Sequence, residues 1–250
     1  RCRFTTLPDG SVVLAMGAWF QSPRGPLPKA EQFGQAFLWR STDDGKTWQR
    51  DSRPMCRYGA EPDILALPSG RLLATVRYQR HKLPGDPDSL AAPHLLRSDK
   101  SPFTKSKQPG KGLVARNTAI LHSDDGGKTW STPRLVTGFD EQTACLVQLP
   151  DKTILLVFGH KTDGSGQRFM VSHDEGHSWS RSIFQLGHNC QYASTVLLPG
   201  NRLVTVSHRI IKGVGIFHAR QWSPPGRKAA RGRGFWVPRP AEPLGVARAR

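Results

Sequence analysis

Cysteine, acidic residues and long apolar runs are all scarce in this sequence, and each shortage removes a class of protein. Four Cys are spread over 250 residues, at Cys2, Cys56, Cys145 and Cys190, with no Cys-x-x-Cys among them. That spacing excludes a zinc ribbon or a dithiol redox motif. It leaves buried free thiols as the expectation, or one disulfide if the protein is exported. No apolar run approaches the roughly 20 residues of a membrane-crossing helix, so no span is expected. The first residues do not read as a secretory leader. The chain opens at Arg1 inside a strand-like pattern, as a processed protein or a fragment would. His160, His173, His177 and His188 share no metal-ligand spacing, and neither metal nor cofactor is expected.

The acidic deficit is large: 19 Asp and Glu against 36 Lys and Arg, a formal net charge of +17. It is also local. Residues 97–116 hold six basic residues and one Asp, and residues 226–250 hold seven and one Glu. The first reads as a basic insertion at about 97–117, the second as a disordered Pro/Arg/Gly-rich tail at 226–250. No nucleic-acid-binding motif accompanies either, so nucleic acid is not an expected partner.

What the chain has in quantity is turns, with 25 Gly and 20 Pro, and enough length for one large all-β domain. A phrase recurs four times: Leu-Pro, a short turn, then an apolar run. It stands at Leu7-Pro8-Asp9-Gly10, Leu67-Pro68-Ser69-Gly70, Leu149-Pro150-Asp151-Lys152 and Leu198-Pro199-Gly200-Asn201. Each reads as a hairpin, because Gly and Asn tolerate the positive φ of a tight turn. After the first three copies comes Ser-x-Asp-x-Gly-x-Thr/Ser-Trp, the Asp box. Its copies are Ser41 to Trp48, Ser123 to Trp130 and Ser172 to Trp179. The Asp is expected to accept amide hydrogen bonds within its turn and the Trp to pack beneath it. Three copies cannot all be the catalytic acid, so the motif is read as structural.

Repeats of this length predict a β-propeller over 1–225, with four-stranded blades at about 1–52, 57–137, 141–184 and 190–224. Inner strands line the central channel of a propeller. The residues to inspect therefore lie just ahead of each Leu-Pro: Arg3, Glu61, Thr143 and Tyr192, with Arg77 ending the second hairpin.

Those residues resemble the sialidase (neuraminidase) superfamily. Arg3-Phe4-Thr5-Thr6-Leu7 is similar to its Phe-Arg-Ile-Pro segment. Glu61-Pro62-Asp63-Ile64 running to Arg77 resembles the segment with its Glu and second Arg. Arg168 resembles the third Arg, and Tyr192-Ala193-Ser194-Thr195 resembles the Tyr-Ser-Thr segment. The resemblance implies a six-bladed fold and a retaining exo-glycosidase acting on terminal sialic acid or a related acidic sugar. Arg3, Arg77 and Arg168 would bind the substrate carboxylate. Tyr192 would be the nucleophile, since a carboxylate would be repelled there, and Glu61 would take its proton. The family's acid Asp has no counterpart between Gln21 and Gln35, where Glu31 is the sole carboxylate and the stand-in. His208 stands where the family often carries Glu. The implied partners are sialylated or other acidic glycans, in an extracytoplasmic or secreted setting. Four visible blades imply missing blades or an open arc. A non-catalytic propeller binding glycan or protein, and an inactive fragment, are the alternative readings.

Overall fold

The Leu-Pro phrases close as hairpins through the same pair of backbone bonds. Leu67 donates to the Arg71 carbonyl at 2.8 Å and Gly70 to the Leu67 carbonyl at 2.9 Å, and the turns at Leu7 and Leu149 repeat this. The residue that closes each of these turns is left-handed: Gly10 (φ 81°), Gly70 (φ 89°) and Lys152 (φ 66°). A computed structural model describes residues 3–18, 34–81, 113–138, 140–161, 166–188, 191–211 and 214–224. The basic tail, Cys2, Cys190 and Glu31 lie outside them.

Every element among the described residues is a strand, so no helix there is long and apolar enough to cross a membrane. Blade 1 comprises β1 (Phe4–Thr6), β2 (Val12–Ala18), β3 (Gln35–Ser41) and β4 (Gln49–Arg50), with β5 (Cys56–Arg57) also paired to β3. Blade 2 comprises β6 (Gly59–Ala66), β7 (Leu72–His81), β8 (Leu113–Ser123) and β9 (Arg134–Leu135). Blade 3 runs through β10 (Glu141–Gln148), β11 (Ile154–His160), β12 (Gly166–Ser172) and β13 (Phe184–His188). Blade 4 shows three strands, β14 (Gln191–Leu198), β15 (Arg202–Ile211) and β16 (Val214–Trp222). All pairs are antiparallel and, apart from β5 on β3, sequential, the up-and-down order of propeller blades. One expectation needs correcting. Residues 113–117, read as the end of the basic insertion, form the start of β8.

Alternation sends one face of each sheet to the preceding blade and the other to the following one. The core is accordingly three seams. Leu38, Ala36 and Val13 meet Ile64, Leu72 and Val76 between blades 1 and 2. Leu73 and Ile120 meet Leu156, Phe158 and Met170 between blades 2 and 3. Cys145, Val157 and Phe169 meet Ala193 and Leu203 between blades 3 and 4. Cys56 and Cys145 are free and buried, and burial pushes the Cys56 thiol up to about 12.

The Asp boxes staple the outer turns. In the first, Ser41 Oγ donates to Asp43, Gly45 N donates to Ser41 Oγ at 2.8 Å, and Thr47 donates to Asp43 through N (2.9 Å) and Oγ1 (2.6 Å). Trp48 Nε1 caps the Gly45 carbonyl at 3.0 Å. The bonds from Thr47, then from Ser41, hold the Asp43 carboxyl down at about 2, against an ordinary 3.8. A depressed folded-state value stabilises fully above the ordinary one and ceases to as pH falls through the folded one. Acid titration followed by Trp fluorescence is therefore expected to release this turn between pH 3.8 and about 2, and Asp43→Asn to remove that pH dependence.

Candidate active site

β6, β10 and β14 each break register near their start: between Ala60 and Asp63, Gln142 and Cys145, and Gln191 and Ser194. The residue at the crest of each bulge is left-handed without being glycine: Glu61 (φ 48°), Thr143 (φ 60°) and Tyr192 (φ 55°). Each stands six positions ahead of its Leu-Pro phrase. That backbone costs roughly 1–2 kcal/mol per residue. Strained crests repeated at one register position aim side chains out of the strand alternation, and such strain gathers at functional sites.

Two of these crests, Glu61 and Tyr192, abut the preceding blade at one place, the sixth residue of its second strand counted from the first core position. These positions are Gly17, Arg77 and Gly159, and in blade 4 His208. A Cβ on Gly17 would lie 3.3 Å from Glu61 N, and one on Gly159 3.5 Å from Tyr192 N. At the blade 2 position the side chain is kept, and Arg77 Nη1 pairs with Glu61 Oε1 at 2.9 Å. Thr143 Oγ1 donates to the other Glu61 oxygen. Tyr192 has the His208 ring at 5.2 Å on one side. On another, Lys161 Nζ lies 4.9 Å from its ring centroid.

Two further groups complete the cluster. Arg116 Nε sits 2.9 Å from Asp140 Oδ1. Burial pulls the Arg116 pKa down, and Asp140, Arg77, Tyr192 and Glu61 all act on it. Burial, reinforced by Arg77 and Arg116 and opposed by Glu61 and Asp140, pulls Lys161 down to about 8. Burial raises Asp140 against the attraction of Arg116, Lys161 and Arg77. Arg77, Arg116 and Lys161 thus face Glu61 and Asp140 around Tyr192 (three cations to two carboxylates), an excess that suits an anionic ligand.

Glu61, Arg77 and Tyr192 are therefore brought together. Arg3 is not at the same register position. It stands four residues ahead of Leu7, level with Asp63, Cys145 and Ser194 rather than with Glu61. There it contacts Asp63 at 3.3 Å and donates to the Leu146 carbonyl at 2.8 Å, tying blade 1 to the seam beyond it. Arg168 is buried against Glu141 at 2.7 Å and Gln185 at 3.1 Å. Glu31 lies outside the described residues. Arg116, Asp140 and Lys161 were not anticipated. Counting back along the β8 strand pattern from the second Asp box reaches Arg116, and Lys161 lies two residues past Gly159.

Residues 121–132 match the BNR/Asp-box repeat family. Among solved structures, a protein of unknown function from Dyadobacter fermentans superposes with a TM-score of 0.60 at 16% identity, over 88% of this chain and 68% of its own. The intramolecular trans-sialidase from Ruminococcus gnavus, in complex with oseltamivir carboxylate, gives 0.58 at 15%, over 95% and 70%. Trypanosoma rangeli sialidase, in a covalent intermediate with 2,3-difluorosialic acid, gives 0.56 at 13%, over 95% and 36%. The chain thus spans about a third of the trypanosomal protein's length and about two thirds of the other two. No curated protein matches it by sequence.

Proposed function

We propose that this chain, a BNR/Asp-box β-propeller of sialidase-like fold, is a retaining exo-glycosidase that removes a terminal sialic acid or related acidic sugar. The supporting observation is the common crest geometry of Glu61 and Tyr192, ringed by Arg77, Arg116 and Lys161. In this reading the cations receive the sugar carboxylate beside its anomeric carbon. Tyr192 attacks that carbon as its phenol proton passes to Glu61, and the glycosyl–oxygen bond to the leaving group breaks. A proton goes to the leaving oxygen, a role the sequence leaves to Glu31. Water then displaces Tyr192 with a second inversion, giving its proton to the carboxylate that acted as acid while Glu61 returns the phenol proton to Tyr192, so configuration is retained. A neutral nucleophile suits a pocket that gathers an anionic substrate, where a carboxylate would oppose it. The setting that fits such glycans is extracytoplasmic.

The test is hydrolysis of a fluorogenic sialic acid conjugate beside a neutral hexose conjugate. Release is expected from the acidic sugar only, with substrate affinity falling as pH rises through about 8 and Lys161 loses its charge. Equal release from the neutral sugar, or none from either by folded protein, overturns the reading. Both Glu61 oxygens are already engaged, by Arg77 and Thr143, which favours a second reading as a non-catalytic glycan receptor. Equilibrium binding of free sialic acid without turnover would establish it.

A further inference from the structure

A relay of backbone bonds fixes three cations of the cluster relative to one another. Asp140 N donates to the Arg116 carbonyl at 2.7 Å, and Lys161 N donates to the Asp140 carbonyl at 3.1 Å. Arg116 lies opposite Gln79 in the β7–β8 ladder. Gln79 Oε1 in turn accepts from Arg77 Nε at 3.2 Å and from Arg77 Nη2 at 2.9 Å. Arg77, Arg116 and Lys161 thus form a row across β7, β8 and the end of β11. Tyr192 of β14 closes it, with its ring centroid 4.9 Å from Lys161 Nζ. Gly159, two residues before Lys161, admits this approach, since a Cβ there would lie 3.5 Å from Tyr192 N.

The three cations differ in kind. A guanidinium keeps its proton, receives a carboxylate on paired N–H groups and is no nucleophile. Among the described residues, Arg77 spends three of its five N–H groups on Glu61 and Gln79, which leaves two for a ligand. An ammonium can lose its proton. A lysine withdrawn from water beside other cations is the setting in which the amine turns nucleophile toward a carbonyl carbon. Lys161 is 8% exposed. Burial, then Arg77 and Arg116, pull its pKa down to about 8 against Glu61 and Asp140.

We propose that Lys161 is a covalent binding site for a 2-oxo acid, whose carboxylate rests on Arg77 and Arg116 while the lysine amine forms an imine with the neighbouring ketone carbon. The lone pair of neutral Nζ adds to that carbon and the ketone oxygen takes up a proton, giving a carbinolamine. The hydroxyl then leaves with a second proton as water. Both amine protons depart with the ketone oxygen, and nothing is oxidised or reduced. Glu61 and Asp140, the two carboxylates acting on Lys161, carry the protons from nitrogen to oxygen. An amine alone would serve any ketone, whereas the guanidinium pair selects one with a carboxylate beside the carbonyl. This chemistry goes beyond glycoside hydrolysis and needs no glycosidic bond. It takes small 2-oxo acids such as pyruvate, and free acidic ketoses in their open-chain form. The sugar released by the proposed hydrolysis is one such ketose, and that source alone rests on the glycosidase reading.

The experiment incubates the full chain at about pH 8 with pyruvate, or with free sialic acid, and adds borohydride to reduce the imine to a stable secondary amine. Intact mass and peptide mapping then locate the adduct. Lys161 should be labelled about tenfold or more above every other lysine, because roughly half of it is neutral amine there, against under about a hundredth of a lysine at the ordinary 10.5. Acetone, a ketone without a carboxylate, should label it about tenfold less. Lys161→Arg, with an unchanged β spectrum, should take up no label. An adduct from pyruvate alone supports the site and identifies a small 2-oxo acid as its ligand. One from sialic acid as well supports it and extends the ligand to the free sugar. No adduct from either, label spread over many lysines, or equal labelling by acetone overturns the proposal. The mapping is read on the wild type, so it does not depend on a variant folding. Pyruvate labelling without hydrolysis of the sialic acid conjugate, or hydrolysis without labelling, separates this site from the glycosidase reading.

Discussion

Tyr192→Phe is expected to cut turnover of the sialic acid conjugate on the order of a thousandfold or more, while leaving the fold and sugar binding in place. The substitution removes one oxygen. The ring keeps its contacts with His208 and with Lys161. Only the bond to the anomeric carbon is lost, so KM should hold while kcat collapses. Glu61→Gln is the informative companion. It should lower kcat by about 10²–10⁴-fold, the usual worth of a positioned base. It also strips Arg77 of its counter-charge at 2.9 Å, which frees the guanidinium for a substrate carboxylate. KM for the acidic sugar should therefore fall with kcat, a signature that a merely structural Glu61 would not leave. Turnover by Tyr192→Phe within tenfold of wild type would remove Tyr192 as nucleophile. A matching loss of sugar affinity and of β spectrum would make it a scaffold residue.

How much of this was legible in the sequence depended on how local each feature is. The Asp box closes within eight residues through Ser41, Asp43, Gly45 and Trp48, so its spacing is its structure. The Leu-Pro hairpins are equally local, and counting back from them finds Glu61 and Tyr192. The same counting placed Arg3 beside them only by ignoring a two-residue offset, which the bulge positions make plain. Arg116 was hidden by its neighbours. Five other basic residues lie between 97 and 111, and the run reads as insertion although its last residues are strand. Lys161 and Asp140 carry no motif. They matter only because β8, β10 and β11 pack side by side, a fact of register across blades 2 and 3. Blade 4 shows where the repeat signal stops: no box follows its hairpin, and three strands are described instead of the expected four.

Arg168 marks the sharpest difference between a residue's place in a motif and its place in the fold, and Arg168→Met is the second large effect expected. Its guanidinium lies 2.7 Å from Glu141 Oε1, with both side chains under a tenth exposed. Glu141 Oε2 accepts from Gly138 N at 2.7 Å, and His160 approaches Oε1 at 3.7 Å. The pair ties the start of β10 to β12 across β11, which Lys161 follows directly. Removing one member of a buried ion pair strands the other and costs about 3–5 kcal/mol. For a domain of this size that lowers Tm by about 6–20 °C. Glu141→Ala should match it. Replacing both, as Arg168→Met with Glu141→Leu, should cost less than either alone, because no uncompensated charge remains buried. The sialidase resemblance implies the opposite pattern, in which Arg168→Met raises KM for the acidic sugar and leaves Tm unmoved. Thermal melts of the four proteins beside KM on the fluorogenic sialoside separate the two. With Glu141 already at hydrogen-bond distance, the geometry favours the scaffold, and in the proposed reaction the carboxylate of the sugar would fall to Arg77, Arg116 and Lys161.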